Sequence, residues 1–340
     1  MKKIKIALLG FGDAGKAFAQ LLEDKREKIA KTYDTQVLIT AISTKTKGTI
    51  IDSSGINIDK ENQSIIDTGK FSEYTGFTAL NVAEQANYDI LFELTPLRIF
   101  SGRPAIDHIE AALKRGKHVV SANKGPIAWD YKRLAQMARD NNCCFYYETT
   151  VMDGTPVFNM TDQTLRMCKV TGIEGVLNST TNYILEELQM GNKYDDIIRE
   201  GKARGFVEAD PSLDVEGWDS AAKLTALMNV LMDTDVTPND IVRKGIENIT
   251  VEDINKADKA GKVIKLMCYT KADSEKVVGY VEPVEIPKTD MYATITGTTS
   301  VVSISTDLMG KITIVEHDPE IQQTAYGIFS DLIRVLEFTK

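Results

Sequence analysis

A glycine-rich turn that directly follows a short apolar run is the feature that most restricts how this chain can fold. The apolar run covers residues 4–9, and a stretch with helical periodicity follows the turn. The turn consists of Gly10, Phe11, Gly12, Asp13, Ala14 and Gly15. Glycines in this pattern allow a tight turn and a close approach of a pyrophosphate to the backbone, and the amino end of the helix attracts phosphate. A turn that serves only packing is the alternative, but the position between a strand and a helix favours dinucleotide binding.

The first half of the chain alternates between apolar runs of strand length and longer segments with helical periodicity. The predicted strands are residues 4–9, 36–42, 90–94, 118–121 and 143–147. The predicted helices are residues 16–31, 104–115 and 131–141, with Gly116 as a C-cap. This alternation is typical of successive βαβ units. We therefore predict an α/β fold whose first domain is a Rossmann-like, doubly wound parallel sheet.

The pattern changes after about residue 151. Helices are predicted at residues 181–190, 194–203, 220–231 and 324–336, and β-branched strands at residues 277–284, 293–296 and 301–305. This order favours an α+β second domain with a largely antiparallel sheet. We expect a dinucleotide-binding domain at residues 1–150, completed by the C-terminal helix at about 318–340, and a substrate-binding domain at residues 151–317.

Composition narrows the classes of partner. The 340 residues carry a formal net charge of -9 without a clustered run of Lys and Arg, which argues against a nucleic-acid partner. The basic amino terminus leads through a short apolar stretch into glycines and not into a cleavage site, so we expect a soluble, cytoplasmic protein without membrane attachment. The four cysteines form no C-x-x-C pair, and the three histidines have no zinc-site spacing. We expect Lys, Asp or Glu to carry any proton chemistry.

The end of the second predicted strand bears on the choice of cofactor. A preference for NAD usually shows as an Asp or Glu there, which bonds the ribose 2′-hydroxyl. This chain has no carboxylate at residues 42–47 and instead offers Thr44, Lys45 and Lys47. Hydroxyls and lysines suit a 2′-phosphate, so we predict NADP, with NAD as the second choice and a solvated loop with ordinary lysines as the alternative.

Two polar segments follow other predicted strands, where ligands bind in open parallel sheets. The first ends in Thr95 and Pro96, and the second contains Ser121 and Lys124. Lys124 is a candidate active-site cation, and an ordinary exposed lysine is the alternative. The Gly-Pro pair at residues 125–126 predicts a shaped loop here.

The segment from Gly205 to Lys223 places several carboxylates among Gly, Pro and Trp residues. We expect a loop that leads into a helix, on which Asp219 and Lys223 are four residues apart and share one face. A solvated acidic loop with a surface ion pair is the alternative, but the interleaved Phe206 and Trp218 argue against it. Carboxylates around one lysine can hold an ammonium-bearing substrate and position the lysine for proton transfer.

Together these segments resemble the homoserine dehydrogenase family, whose members reversibly reduce L-aspartate 4-semialdehyde to L-homoserine with NADPH or NADH. Residues 205–223 match the family's G-x-x-E-x-D-P-x-x-D-x-x-G-x-D-x-x-x-K pattern at every fixed position. Residues 177–185 read LNSTTNYIL where the family has LNGTTNYIL, and residues 118–124 read HVVSANK where it has HVVTANK. The resemblance spans nearly the whole chain and implies an NAD(P)-dependent oxidoreductase of threonine, methionine and isoleucine biosynthesis.

The resemblance also implies roles for single residues. Lys223 would exchange a proton with the substrate oxygen, with Lys124 beside the same oxygen. Gly205 would lie where substrate and nicotinamide meet. The residues that the resemblance implies to bind the amino-acid substrate are Glu208, Asp214, Asp219 and Thr180. Hydride transfer to an aldehyde carbon leaves a developing alkoxide, which two ammonium groups can stabilise and one can protonate.

A monovalent cation, with Na+ as the expected ion, is a further implication of the family resemblance. Mapped by position, its ligands are Glu148, Val151, Asp153 and Thr155. This chain departs from the family at Ser179, which replaces a glycine, and at Met152 and Asp153, which replace small residues. It also departs at residues 316–321, where many members have a G-x-G turn that touches the cofactor. Acidic side chains there either weaken contacts to the NADP phosphate or point outward.

The chain ends after the last predicted helix, so the resemblance implies a short form without the C-terminal ligand-sensing extension of many members. It further implies a homodimer that forms through the second-domain sheet. Two other functions stay open: a related nicotinamide dehydrogenase that acts on another amino acid or semialdehyde, and a catalytically silent dinucleotide sensor. The presence of both Lys124 and Lys223 argues against the sensor, because a sensor needs neither.

Overall fold

A computed structural model describes residues 1–205, 207, 210–273 and 276–340. Its strands are β1 (Lys2–Leu9), β2 (Thr35–Thr44), β3 (Gly48–Ile51), β4 (Ile90–Glu93), β5 (His118–Ser121), β6 (Phe145–Tyr146), β7 (Val170–Val176), β8 (Val242–Arg243), β9 (Lys262–Asp273), β10 (Lys276–Pro287), β11 (Ser300–Thr306) and β12 (Gly310–Glu316). Its helices are α1 (Asp13–Asp24), α2 (Arg26–Tyr33), α3 (Ile58–Thr68), α4 (Ala79–Gln85), α5 (Ala105–Lys114), α6 (Lys124–Asp140), α7 (Val157–Thr164), α8 (Ser179–Gln189), α9 (Tyr194–Ala203), α10 (Ser212–Val215), α11 (Trp218–Leu231), α12 (Val251–Lys259) and α13 (Ile321–Phe338). Among these described residues, no helix combines the length and apolar character that crossing a membrane requires.

The chain divides into two compact units. The first contains Met1–Phe158 together with Glu320–Lys340, and the second contains Asn159–Pro319. The sequence placed the domain boundaries at residues 150 and 317. The roles assigned to the two domains, cofactor binding and substrate binding with dimerisation, stay predictions.

The first unit contains a sheet with the strand order β3-β2-β1-β4-β5-β6. The pairings of β1 with β2, β1 with β4, β4 with β5 and β5 with β6 are parallel, and only the edge strand β3 runs antiparallel to its neighbour. β4 is buried along its whole length, as expected for a parallel strand covered on both faces. The predicted doubly wound sheet is confirmed, and its strand order reverses at β1 and β4, where such sheets bind ligands.

Three sequence predictions for the first unit need correction. The single helix predicted at residues 16–31 is two helices, α1 and α2, because the backbone leaves the helical region at Lys25. The strand predicted at residues 143–147 is shortened to β6. The helix predicted at residues 131–141 begins earlier, at Lys124, with a kink at Asp130 that separates the missed first part from the predicted second part.

The second unit contains a sheet with the strand order β12-β11-β7-β9-β10-β8. Its pairings are antiparallel except for the short parallel pair of β10 with β8, which confirms the α+β prediction. α11 covers one face, since a Cβ atom added at Gly279 would lie 2.8 Å from Met228 Sδ and 3.2 Å from Leu224 Cδ2. The strand predicted at residues 293–296 is wrong. Met291–Thr294 form a 3-10 turn instead, because Asp290 Oδ1 accepts a hydrogen bond from Tyr292 N at 2.9 Å.

Candidate functional site

The glycine turn after β1 has the geometry of a phosphate cradle. Gly10 has a φ of +104°, and a Cβ atom there would lie 2.3 Å from Leu94 O, so no other residue fits. Gly12 is the N-cap of α1, and no heavy atom lies within 4 Å of the position its Cβ would take. The helix starts at once, because Lys16 N donates to Gly12 O at 2.9 Å. Open space in front of an uncapped helix amino terminus fits the pyrophosphate of a dinucleotide.

The turn between β2 and β3 brings a lysine to this glycine turn. Lys47 Nζ donates to Phe11 O at 2.7 Å, and Lys47 N donates to Thr44 Oγ1 at 2.8 Å. Burial and then the nearby Lys16 ammonium lower the pKa of Lys47 below the usual lysine value. Lys45 is exposed on the same turn. Of the two lysines that the sequence singled out, Lys47 is therefore the one that contacts the backbone of the glycine turn.

The segments after β4 and β5 are joined by one asparagine. Asn123 Nδ2 donates to Thr95 O at 3.0 Å, and Asn123 Oδ1 accepts from Gly125 N at 2.9 Å. Asn123 is thereby the N-cap of α6, whose first residue is the half-buried Lys124. The loop predicted at residues 125–126 is wrong, because proline is tolerated in the first turn of a helix and does not end it there.

In the second unit, Lys223 and Asp219 form the predicted ion pair, with 3.0 Å between Lys223 Nζ and Asp219 Oδ2. The two side chains are only 18% and 13% exposed, so the alternative of a solvated surface pair is wrong. Lys223 Nζ also donates to Leu177 O at 2.8 Å, which directs the lysine toward the segment between β7 and α8. The ammonium is thus held by a carboxylate and a backbone carbonyl in a largely dry place.

Asn178, from the LNSTTNYIL segment, organises this cluster, a role that the sequence did not predict. Its Nδ2 donates to Asp214 Oδ1 at 2.7 Å and to Asp219 Oδ2 at 3.0 Å. Its Oδ1 accepts from Thr181 N at 2.8 Å, so Asn178 is the N-cap of α8 and is itself buried. An Asn before a Ser-Thr-Thr helix start predicts the cap. The distant carboxylates that share its amide are not visible in the sequence.

The other predicted substrate residues are placed as follows. Thr180 is buried in the first turn of α8. Gly205 follows α9 with a φ of +84°, which favours glycine. Glu208 lies outside the described residues.

The start of α11 has a further contact, from Arg243. Arg243 stacks on Trp218, with 3.8 Å from its guanidinium carbon to the ring centroid, and so anchors the start of α11.

The predicted cation loop lies against α13 within the first unit. The buried Glu148 accepts at Oε1 from Phe158 N at 2.8 Å. Asp153, with a φ of +48°, accepts at Oδ1 from Thr324 Oγ1 at 2.6 Å. A Cβ atom at Gly154 would lie 2.1 Å from Gln323 O, so the loop can approach α13 only with glycine there. Within the described part of the chain, no three His, Cys, Asp or Glu residues are grouped so that they could hold a metal ion.

Two family models match this chain in sequence. The model for the homoserine dehydrogenase NAD binding domain matches residues 10–148, and the model for homoserine dehydrogenase matches residues 156–333. The homoserine dehydrogenase of Methanocaldococcus jannaschii is 35% identical, over 98% of this chain and 99% of that protein. The NAD(+)-dependent homoserine dehydrogenase of Pseudomonas canavaninivorans is 33% identical, over 98% of this chain and 97% of that protein.

A solved structure agrees with these matches. The crystal structure of a putative homoserine dehydrogenase from Archaeoglobus fulgidus has a TM-score of 0.86 and 33% identity, and the match covers 98% of this chain and 99% of that one. The matches extend over both units, over the glycine turn of the first and the lysine and carboxylate cluster of the second. The chain therefore belongs to the homoserine dehydrogenase family of NAD(P)-dependent oxidoreductases.

Proposed function

We propose that this chain catalyses the reversible, NAD(P)-dependent reduction of L-aspartate 4-semialdehyde to L-homoserine, with Lys223 as the group that exchanges a proton with the substrate oxygen. The observation that supports this role is the position of Lys223 Nζ, 3.0 Å from Asp219 Oδ2 and 2.8 Å from Leu177 O in a mostly buried cluster. When bound, the nicotinamide donates or accepts the hydride at the carbon that carries this oxygen.

The lysine acts on the charge that develops during the reaction. Reduction leaves negative charge on the aldehyde oxygen, and the Lys223 ammonium stabilises that charge and donates the proton. In the reverse direction the neutral amine accepts the hydroxyl proton. Asp214 and Asp219, oriented by Asn178, hold the substrate ammonium together with Glu208. Thr180 and Gly205 complete the proposed substrate site.

Lys124 is proposed to supply a second ammonium group to the same oxygen. It is the first residue of α6. The helix dipole favours cations at the carboxyl end of a helix and not at the amino end, so helix stability does not explain a lysine at this position. The cofactor is proposed to lie along the carboxyl ends of β1, β2, β4 and β5. Its proposed contacts are Gly10, Phe11, Gly12, Asp13, Ala14, Gly15, Thr44, Lys45, Thr95, Pro96, Ser121, Lys124 and Gly205.

NADP is the proposed coenzyme in preference to NAD. Support comes from the absence of a carboxylate in residues 42–47 and from the contact of Lys47 Nζ with Phe11 O at 2.7 Å. Lys16 is close enough to Lys47 to lower its pKa, so two ammonium groups lie near the glycine turn. Such a pair can neutralise a 2′-phosphate.

A monovalent cation is proposed on the loop at residues 148–155, with Na+ as the expected ion. The buried carboxylate of Glu148 is the charged ligand. Asp153, whose side chain is fixed by the hydrogen bond from Thr324, would contribute a second ligand oxygen. Val151 and Thr155 would add further oxygens, and an all-oxygen set suits a hard cation.

The experiment that tests the proposed function compares Lys223→Ala with the parent enzyme. We expect homoserine oxidation to fall by about 10²–10⁴-fold, because the general acid and base is lost. NADPH affinity, measured by calorimetry, should stay at the parent value. Lys288→Ala is the matched control, because it removes a lysine from the exposed ion pair with Asp258 in the same unit.

The outcomes of this comparison are distinct. If folded Lys223→Ala oxidises homoserine nearly as fast as the parent, Lys223 is only an ion-pair partner and Lys124→Ala must be tested next. If the parent binds NADPH but does not oxidise homoserine, the proposed reaction is wrong. A silent dinucleotide sensor would then be the better description.

A further inference from the structure

Glu93 is a buried acidic residue to which the proposed reaction gives no role. It is the last residue of β4, and its side chain is 0% exposed. One carboxylate oxygen, Oε2, lies 2.7 Å from Nδ1 of the equally buried His108 on α5. With Glu93 as a carboxylate, which only accepts hydrogen bonds, His108 Nδ1 is the donor of this pair.

The other oxygen of Glu93 holds the start of the segment after β4. Oε1 accepts from Thr95 N at 2.9 Å and also from Thr95 Oγ1. Thr95 O in turn accepts from Asn123 Nδ2 at 3.0 Å, and Asn123 is the N-cap of α6. Backbone contacts run alongside, since Glu93 O accepts from Ala122 N at 3.0 Å.

This network lies at the reversal point of the sheet. The segment after β4 borders the glycine turn, because Leu94 O is the atom that a Cβ atom at Gly10 would meet at 2.3 Å. A buried carboxylate is costly, and a well-packed apolar residue at such a place is often as stable or more stable. Fold stability therefore does not explain the pair, whereas the need to place Thr95 and the start of α6 does.

We propose that His108 and Glu93 form a positioning pair that holds Thr95 and, through Asn123, the first turn of α6 in the arrangement that the cofactor requires. This inference rests on the proposed function, because it assumes that Thr95 contacts the cofactor. Neither residue of the pair touches the cofactor or the substrate. Their effect is transmitted through the hydrogen bonds of Thr95 and Asn123.

The test uses the full chain with four variants and two readouts. His108→Leu removes the donor to Glu93, and His108→Asn restores an N–H near the place of Nδ1. Ile109→Val is the control, because it trims a fully buried aliphatic side chain on the same helix, which can donate no hydrogen bond to Glu93. Thr95→Val removes the hydroxyl that donates to Glu93 and lies on a half-buried segment, so it serves if His108→Leu does not fold. The readouts are the NADPH dissociation constant from fluorescence quenching and the kcat and KM values for homoserine oxidation.

We expect His108→Leu and Thr95→Val to weaken NADPH binding and to lower kcat by about 10-fold to 100-fold, because small displacements of a site carry large kinetic costs. The KM for homoserine should not change, His108→Asn should recover most of the loss, and Ile109→Val should match the parent. Parent-like NADPH binding and kcat in His108→Leu, or in Thr95→Val if the former does not fold, would overturn the proposal. So would an equal loss in Ile109→Val. If the parent binds NADPH but does not oxidise homoserine, the proposed function is wrong. The role of the pair of His108 and Glu93 is still decided by the NADPH binding measurements.

Discussion

Asp219 Oδ2 accepts two hydrogen bonds, one from Lys223 Nζ and one from Asn178 Nδ2, each at 3.0 Å. This shared acceptor ties the lysine on α11 to the start of α8. The Asn178 amide has its other carboxylate partner in Asp214. Charged groups in such a buried network interact more strongly than at the surface, so the loss of one member weakens the interactions of the others.

At the same residue scale, Lys47 is expected to set the coenzyme preference. Lys47→Ala should raise the KM for NADPH by about 10-fold to 100-fold, as expected for loss of a charge-assisted hydrogen bond, and leave the KM for NADH nearly unchanged. The exposed Lys45 should contribute less. Steady-state kinetics at low and high salt check this, because salt screens exposed charges and should reduce the preference.

Lys114→Ala is the control for Lys47→Ala, since it removes a lysine from an exposed ion pair on α5. The prediction fails if the parent enzyme uses NADH as efficiently as NADPH at low salt. It also fails if the two variants change the NADPH KM equally, because the effect would then reflect net charge alone.

The amino ends of α1 and α6 are the elements that carry the proposed cofactor contacts. Both begin directly after parallel strands, β1 and β5, whose carboxyl ends lie at one edge of the sheet. Gly12 starts α1 without a capping side chain, whereas Asn123 caps α6. The first arrangement leaves N–H groups for an anion, and the second holds Lys124 at a defined place.

Two glycine variants separate binding from folding at the element scale. Gly12→Val should abolish NADPH binding but keep the thermal stability, because its backbone is extended and no heavy atom lies within 4 Å of the new Cβ. Calorimetry and thermal melts check this, and full NADPH affinity in Gly12→Val would remove the proposed role of the turn.

Gly10→Ala should lower the free energy of unfolding by more than about 1–3 kcal/mol, because the strained φ adds to a clash with Leu94 O. Thermal melts of this variant and the parent check the loss of stability.

On the scale of the whole molecule, one face of the second-unit sheet carries half-buried aromatic rings beside the part that the 3-10 turn at Met291–Thr294 covers. Gly279 faces α11, so Tyr280 points to the other side of the sheet. There its ring stacks on Tyr269 with centroids 5.2 Å apart, and Lys271 lies over both rings. These rings and Val284 are only half-buried in the single chain. We propose that this face forms a homodimer. A cytoplasmic location also stays a prediction.

Tyr280→Glu tests the proposed dimer. The new carboxylate can pair with Lys271 in the single chain, so the fold should persist, but dimerisation would bury that charge at a cost. We expect the parent to be a dimer and the variant a monomer by light scattering. Leu308→Glu is the control, since Leu308 is 69% exposed in the turn between β11 and β12. A monomeric parent, or dissociation in the control instead, would rule out this face.

The sequence by itself determined the elements whose signals are local. Spacing and period along the chain predict the strand and glycine turn at residues 4–15 and a helix directly after them. They also predict the pair of Asp219 and Lys223 and the order of an α/β unit followed by an α+β unit. The sequence missed the first part of α6 at Lys124, and it predicted one helix at residues 16–31 where the structure has two, because capping and backbone breaks depend on single side chains. It also identified the family through residues 205–223, although Glu208 lies outside the described residues.

Only the tertiary structure decided which distant groups share a partner. Asn178 meets Asp214 and Asp219 across 36 and 41 residues, and Glu93 meets His108 across 15. Lys47, and not Lys45, reaches the glycine turn across 36 residues. No period or propensity encodes such contacts, because they arise when packing of the sheet and helices brings separate segments together and buried polar groups must find donors and acceptors there.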